Sequence, residues 1–246
     1  MEHSASNRPS NERFATTRWS IVLGAGGRAN RTEVRRALAT LCETYWPPLY
    51  AFLRRSGSSP ADAEDTVQGF FSLLLERDDL VELRPERGRF RSFLLASLKH
   101  YRANERDKEA ALKRGGGRQK LSLDAASAEA RYCVEPAERR TPESLFDYCW
   151  AQTVLENTMA QLRASYQAAG KAERFAVLLP HLAGDQAESY RKAAAKLGMT
   201  EGAVKVAVHR MRREYRELIR AEIAQTVASE EEIDGEIVAL FEALRG

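Results

Sequence analysis

Residues 190–215 read YRKAAAKLGMTEGAVKVAVHRMRREY, and the punctuation of this stretch decides the fold. A short helix with Ala193, Ala194 and Leu197 on its apolar side is cut by Gly198. Thr200 then offers a hydroxyl to an orphan N–H in the first turn of a second helix. Two helices rich in small residues and joined by so tight a turn cross at close range, which is a helix-turn-helix. On a 3.6-residue wheel Val204, Ala207, Val208, Met211, Tyr215 and Leu218 gather on one side of the second helix. Gly202, Val206, His209 and Arg213 lie opposite, flanked by Lys205 and Arg210. The apolar stripe belongs in a core. The opposite face is slim at its start and densely cationic further on, as a DNA major groove requires: side chains near the helix start reach base edges, and Arg and Lys around them reach phosphates. An arbitrary cationic helix face is more often merely solvated, but this one sits directly behind an alanine-rich helix and a Gly turn.

The 246 residues are 43% hydrophobic, enough for two cores of moderate size. The net charge of +3 is unevenly placed: residues 84–120 carry +8 and residues 190–220 carry +6, leaving −11 for the rest. Two cationic islands in an otherwise acidic chain predict two separate contacts with a polyanion. Cys42, Cys133 and Cys149 share no CxxC spacing, so neither a disulfide framework nor a zinc site is expected. The polar start MEHSASNRPSNER and the lack of a long apolar run predict a soluble, cytoplasmic protein with no membrane contact. No cofactor or metal site is expected. The triple glycine at 115–117 lacks the GK[ST] ending of a phosphate loop, HExxH is absent, and the histidines have no ligand spacing, so the chain does not read as an enzyme.

Upstream, residues 1–13 read as a disordered start and TTRWSIVLGAGG as one short helix from about Thr17, with Trp19 as a core anchor. Thr32 is expected to cap a helix through VRRALATLCETYW, and Pro47 and Pro48 to restart the chain as a new helix, LYAFLRRSG. Ser59 and Pro60 repeat that start signal for ADAEDTVQGFFSLLLERDD. There Ala63, Val67, Phe70, Phe71 and Leu74 form the buried stripe, and Asp65, Gly69, Ser72 and Glu76 face away. Gly69 costs a helix interior about 1 kcal/mol relative to alanine, which predicts that something packs closely against it. In the next helix, from about Phe90, Phe93, Leu94, Ser97 and Tyr101 turn inward with Phe90. Arg91, Lys99, Arg102, Arg106 and Lys113 share the other side, a stripe able to track phosphates. His100 and Tyr101 are candidates for stacking unpaired bases.

DAEDTVQGFFSLLLERDD followed by GRFRSFLLASLKHYRANERDKEAALKR resembles region 2 of bacterial RNA polymerase sigma factors of the extracytoplasmic-function (ECF) group, and the helix-turn-helix resembles their region 4. The likeness spans roughly residues 33–113 and 143–226. It implies an all-α fold of two helical domains, 14–114 and 141–227, joined by a linker at 115–140. It implies a monomer when free that binds core RNA polymerase through its β′ and β subunits, recognises promoter DNA and helps to melt it. An anti-sigma factor is a further partner that the resemblance admits. Asp62, Asp65 and Gln68 would grip polymerase; Gly69 stands where the family usually has an acid. Lys99, Arg102, Asn104 and Arg106 would hold the minus-ten element. In the second domain Lys205 and His209 would meet base edges of the minus-thirty-five element and Arg191, Lys192, Arg210, Arg212 and Arg213 its phosphates, with Thr200 at the head of the helix.

Thr141 and Pro142 start a helix whose core side is Phe146, Trp150, Leu155, Met159, Leu162 and Tyr166. Ser229 and Glu232 form a capping box for a last amphipathic helix within 228–246, with Ile233, Ile237, Leu240 and Leu244 on one face. Residues 221–246 carry a net charge of −6, so this helix either restrains DNA binding from a basic face or completes the second domain's core. The competing reading of the whole is a free-standing helix-turn-helix regulator that dimerises on a palindromic operator without polymerase.

Overall fold

The computed structural model describes residues 18–22, 31–76, 89–111, 140–182 and 187–245, and every regular element in them is helical. The α-helices are α1 (Arg18–Val22), α2 (Arg31–Arg55), α3 (Pro60–Glu76), α4 (Phe90–Ala111), α5 (Pro142–Ala168), α6 (Ala172–Leu178), α7 (Ala187–Leu197), α8 (Glu201–Ala224) and α9 (Glu231–Arg245). A 3-10 turn, Leu179–His181, follows α6. The linker reading of 115–140, apart from Arg140, and the disordered start lie outside the described residues, as do Cys133 and Lys113.

Several boundaries follow directly from local chemistry. Ser59 Oγ accepts from Asp62 N at 3.1 Å to start α3, and Thr141 Oγ1 accepts from Ser144 N at 3.1 Å to start α5. Glu232 reaches back to the amides of Ala228 and Ser229 ahead of α9. α5 ends on Gly170, at φ 69°, where Lys171 N donates to Tyr166 O, a left-handed cap that suits glycine.

The expected restart at Pro47 and Pro48 does not occur. α2 runs from Arg31 through both prolines, and Thr32 lies inside its first turn rather than ahead of it. A proline inside a helix costs about 3 kcal/mol or more. Tyr45, Trp46, Leu49, Tyr50, Phe52 and Leu53, however, are all buried on the two sides of the proline pair. Full burial of one such side chain is worth about 1.5–3 kcal/mol, so several together offset the prolines and hold one continuous helix.

Two hydrophobic cores form. The smaller joins Leu162 of α5 to Phe175, Leu178, Tyr190, Ala193, Ala194, Val204, Ala207, Val208 and Met211, the face that the helical wheel assigned to α8. The larger contains α1 to α4, but it also takes Phe146, Trp150, Ala151 and Val154 from the head of α5 and Ile219 and Ile223 from the tail of α8. The long helices α5 and α8 therefore belong to both cores, whereas the sequence placed 141–227 in a unit of its own. The reason is the distribution of bulk along α5: its apolar residues are spread around the helix rather than along one stripe, and its first half packs against α2. α9 likewise completes the larger core, through Ile233 and Leu240, and not the smaller one.

The α8–α9 corner is also bonded into the larger core. Trp19 N donates to Gln225 O at 3.0 Å and Phe90 N to Thr226 O at 2.9 Å. Orphan donors at the starts of α1 and α4 thus meet carbonyls just beyond α8, which neither end satisfies within its own helix.

The close neighbour that Gly69 called for is Tyr101. A Cβ at position 69 would lie 2.5 Å from Tyr101 Oη and 3.6 Å from its Cζ. Gly69→Ala gains about 1 kcal/mol of helix propensity but must displace a buried hydroxyl, at about 1–3 kcal/mol. The single substitution is expected to be neutral or destabilising in urea titrations. In a Tyr101→Phe background, where only the ordinary 3.6 Å contact remains, the same change is expected to stabilise by up to about 1 kcal/mol.

Candidate nucleic-acid interface

The turn between α7 and α8 is built as the sequence reads. Gly198 adopts φ 63°, Met199 N donates to Ala194 O at 3.0 Å, and Thr200 Oγ1 accepts from Ala203 N at 3.2 Å. A left-handed residue at this point lets the chain reverse within three residues, and any side chain with a Cβ would be strained there. The cap fixes the direction of α8 and commits the Thr200 oxygen to it. Along the outer face of α8, Gly202, Lys205, Val206, His209, Arg210 and Arg213 are all exposed.

The cations on this face are loosely held. Arg191 meets Glu201 at 3.3 Å with its side chain 81% exposed, and Arg213 meets Glu217 at 2.8 Å with 71% exposed. Ion pairs this exposed contribute about 0–1 kcal/mol, so either guanidinium can exchange its carboxylate for a phosphate at little cost. Lys192 is exposed on α7 beside Arg191. Lys205 Nζ stands 5.9 Å from the centre of the Tyr190 ring.

Arg212 does not belong to this face. Its Nη2 donates to His181 O at 2.6 Å in a partly buried contact that ties the end of the 3-10 turn to α8. Position 212 lies one residue after Met211, on the flank of the buried stripe, where a long cation covers the core edge rather than reaching DNA.

Two features of α8 go beyond the sequence reading. Val206 is 52% exposed in the middle of the polar face, where a branched apolar side chain is suited to a thymine methyl. A cleft of about 320 Å³ opens between the end of α5, the start of α6 and α8, with Lys171, Arg174 and Arg210 on its walls. Lys171 and Arg174 lie outside the 190–220 island, so charge counting along the chain did not group them with Arg210.

The second basic surface is arranged differently from its sequence reading. Arg91, expected to face outward with Lys99 and Arg102, has a side chain only 13% exposed. Its Nε donates to Glu236 Oε1 at 2.6 Å, its Nη1 pairs with Asp147, and its guanidinium lies 4.7 Å over the Trp150 ring. Arg89 Nη1 meets the other Glu236 oxygen at 2.9 Å. Lys99 bonds Glu143 at 2.7 Å, and Arg102 Nη2 comes within 3.5 Å of Ser58 Oγ. The hydrogen bond from Lys99 holds the Glu143 carboxyl below the usual carboxylate range. Asn104 and His100 are exposed, whereas Tyr101 is buried against Phe70 and Gly69 and cannot stack a base. The Arg106 side chain lies outside the described residues.

On α3, Asp62 and Asp65 are exposed, and Ser59 Oγ donates to Asp62 at 2.7 Å. Gln68 is not beside them on the surface. It is 6% exposed and donates from Nε2 to Glu64 Oε1 at 2.9 Å, because position 68 adjoins the buried stripe of Val67 and Phe71. Among the described residues no cluster of His, Cys, Asp and Glu is arranged to hold a metal, and no helix is long and apolar enough to cross a membrane.

Comparison with known proteins adds no relative: no family model, no curated protein and no solved structure matches this chain.

Proposed function

We propose that the chain is an ECF-type sigma factor, which binds core RNA polymerase, carries it to specific promoters and assists their melting. The observation that carries this reading is the helix-turn-helix of α7 and α8: a glycine-reversed, threonine-capped turn that presents a slim, cationic face outward while the opposite face is fully packed. Such a helix enters a major groove with Lys205, Val206 and His209 toward base edges and Arg191, Lys192, Arg210 and Arg213 toward phosphates. Sequence order supplies the rest. α3 and α4 carry the stretches that resemble region 2, with Asp62 and Asp65 as the polymerase contact and Lys99, Arg102, Asn104 and Arg106 as the minus-ten contact.

In this reading α1 to α4 carry the polymerase and minus-ten contacts, and α7 and α8 the minus-thirty-five contact. The protein acts in the bacterial cytoplasm, as a monomer until it joins the enzyme. Reconstitution with purified core polymerase, followed by run-off transcription on fragmented genomic DNA, tests the reading directly. Discrete transcripts that depend on the added chain are the expected result; a chain that neither binds core enzyme nor changes its transcripts would sink it. With the reconstituted holoenzyme, Arg213→Ala is expected to reduce the log–log salt dependence of promoter binding by about 0.9, the signature of one lost phosphate contact. An unchanged slope removes Arg213 from the interface.

A further inference from the structure

The head of α4 is held by acids from two other helices, and the most deeply placed of them is on the last helix of the chain. Glu236 of α9 has no exposed surface; Arg91 donates to both of its oxygens, from Nε at 2.6 Å and Nη2 at 3.2 Å, and Arg89 shares the second of them at 2.9 Å. Asp147 of α5 takes the remaining side of Arg91, and Glu143, one turn earlier on α5, takes Lys99 further along α4. These cations belong to the +8 island at residues 84–120, and the segment that covers its head carries −6 over residues 221–246. A carboxylate that accepts from two guanidiniums occupies the same donors that a phosphate would take.

The seam is also poorly suited to permanent closure. Tyr45 Oη and Trp150 Nε1 are buried there beside the ion pair, close to each other but in no well-formed hydrogen bond. Buried polar groups and buried ions both lose hydration when such a seam shuts, and they recover it when it opens. α9 is short, at 15 residues, and only Ile233 and Leu240 among its apolar side chains are fully buried, while Val238 and Phe241 face outward. An apolar seam of the same area would release nothing on opening.

We propose that α9 is an internal competitor for nucleic acid: Glu236 occupies Arg89 and Arg91 at the head of α4, and a nucleic-acid strand reaches those arginines only as α9 is displaced. This rests on the reading of α4 as a nucleic-acid surface and adds to it how that surface is regulated. Displacement is mutual. Strand binding loosens α9, and whatever holds α9 shut weakens strand binding by the same factor.

The test uses the full chain, Glu236→Gln and, as a control of equal net charge, Asp234→Asn, whose carboxylate is 79% exposed and pairs with Arg220 instead. Binding of a fluorescein-labelled single-stranded oligodeoxynucleotide is followed by anisotropy across a salt series. Glu236→Gln is expected to bind at least about fivefold tighter, with a log–log slope steeper by about 1.4 for two released arginines, while Asp234→Asn stays within about twofold of the parent. In the unaltered protein, saturating oligonucleotide is expected to speed hydrogen exchange across residues 231–245. The proposal is overturned if a cooperatively folded Glu236→Gln binds no tighter, or if the oligonucleotide binds and leaves exchange in α9 unchanged. That second measurement decides alone should the variant fail to fold. Binding with unchanged α9 removes the competitor and spares the nucleic-acid surface, whereas no binding by the parent or the variant overturns both.

Discussion

Trp150→Ala is expected to lower the free energy of unfolding by about 3–5 kcal/mol, the usual loss for a large aromatic removed from a close-packed core. Trp150 is completely buried in α5, beneath the Arg91 guanidinium and within the larger core. The diagnostic part of the result is which signals move. α5 also carries Leu162 into the smaller core and runs without interruption between the two. In the isolated chain the urea transition is therefore expected to shift as one, with Trp19 and Trp46 fluorescence and far-ultraviolet dichroism in step. Two separated transitions, one unaffected by the substitution, would show that α5 does not transmit the loss. Trp150→Phe is expected to retain most of the stability, since the ring beneath Arg91 is kept.

Arg91→Ala is expected to be nearly as severe, but locally. Its removal leaves Glu236 buried with Arg89 as its one remaining ionic partner among the described residues, and breaking a buried pair from one side costs about 3–5 kcal/mol. The loss should appear as a fall of that size in the free energy of opening α9, read from native-state hydrogen exchange of residues 231–245. The double variant Arg91→Met/Glu236→Leu provides the internal check. With both charges gone, Arg89, whose side chain is already 33% exposed, and Asp147, at 37%, can turn to water. Most of the lost stability is then expected to return, because an apolar pair carries no desolvation cost. Failure of the double variant to recover would place the function of Arg91 in its contact with Trp150 rather than in its charge.

The two substitutions probe the same seam from opposite sides. Trp150 supplies the packing that draws the head of α5 against α2, and Arg91 supplies the charge that draws α5 and α9 onto α4. Beside them lies Tyr45, whose hydroxyl is pushed far above its ordinary range, first by burial and then by the nearby Glu236 carboxylate. It stays protonated throughout the accessible pH range, so the seam responds to its carboxylates and guanidiniums and not to tyrosine ionisation. For the proposed sigma factor, the consequence is unequal access: the α8 face is presented outward, while the head of the α4 surface is occupied by the chain itself.

What the sequence determined by itself was a set of features governed by neighbours along the chain. Gly198 and Thr200 set the turn, Ser59, Thr141 and the Ser229–Glu232 pair set helix starts, and the 3.6-residue spacing set the buried faces of α3 and α8, because caps and periodicity act over a few residues. Tertiary structure alone decided the rest. Whether Pro47 breaks a helix depended on how much bulk a distant surface buries on both sides of it. Whether Arg91, Arg212 and Gln68 face solvent depended on which helix packs against theirs, and a wheel drawn for one helix contains no information about its neighbours. The same holds for α5, whose two halves serve different cores, and for Glu236, which in sequence is one acid among seven in the last 26 residues. Its burial between two arginines arises only when residues some 145 positions apart are brought together.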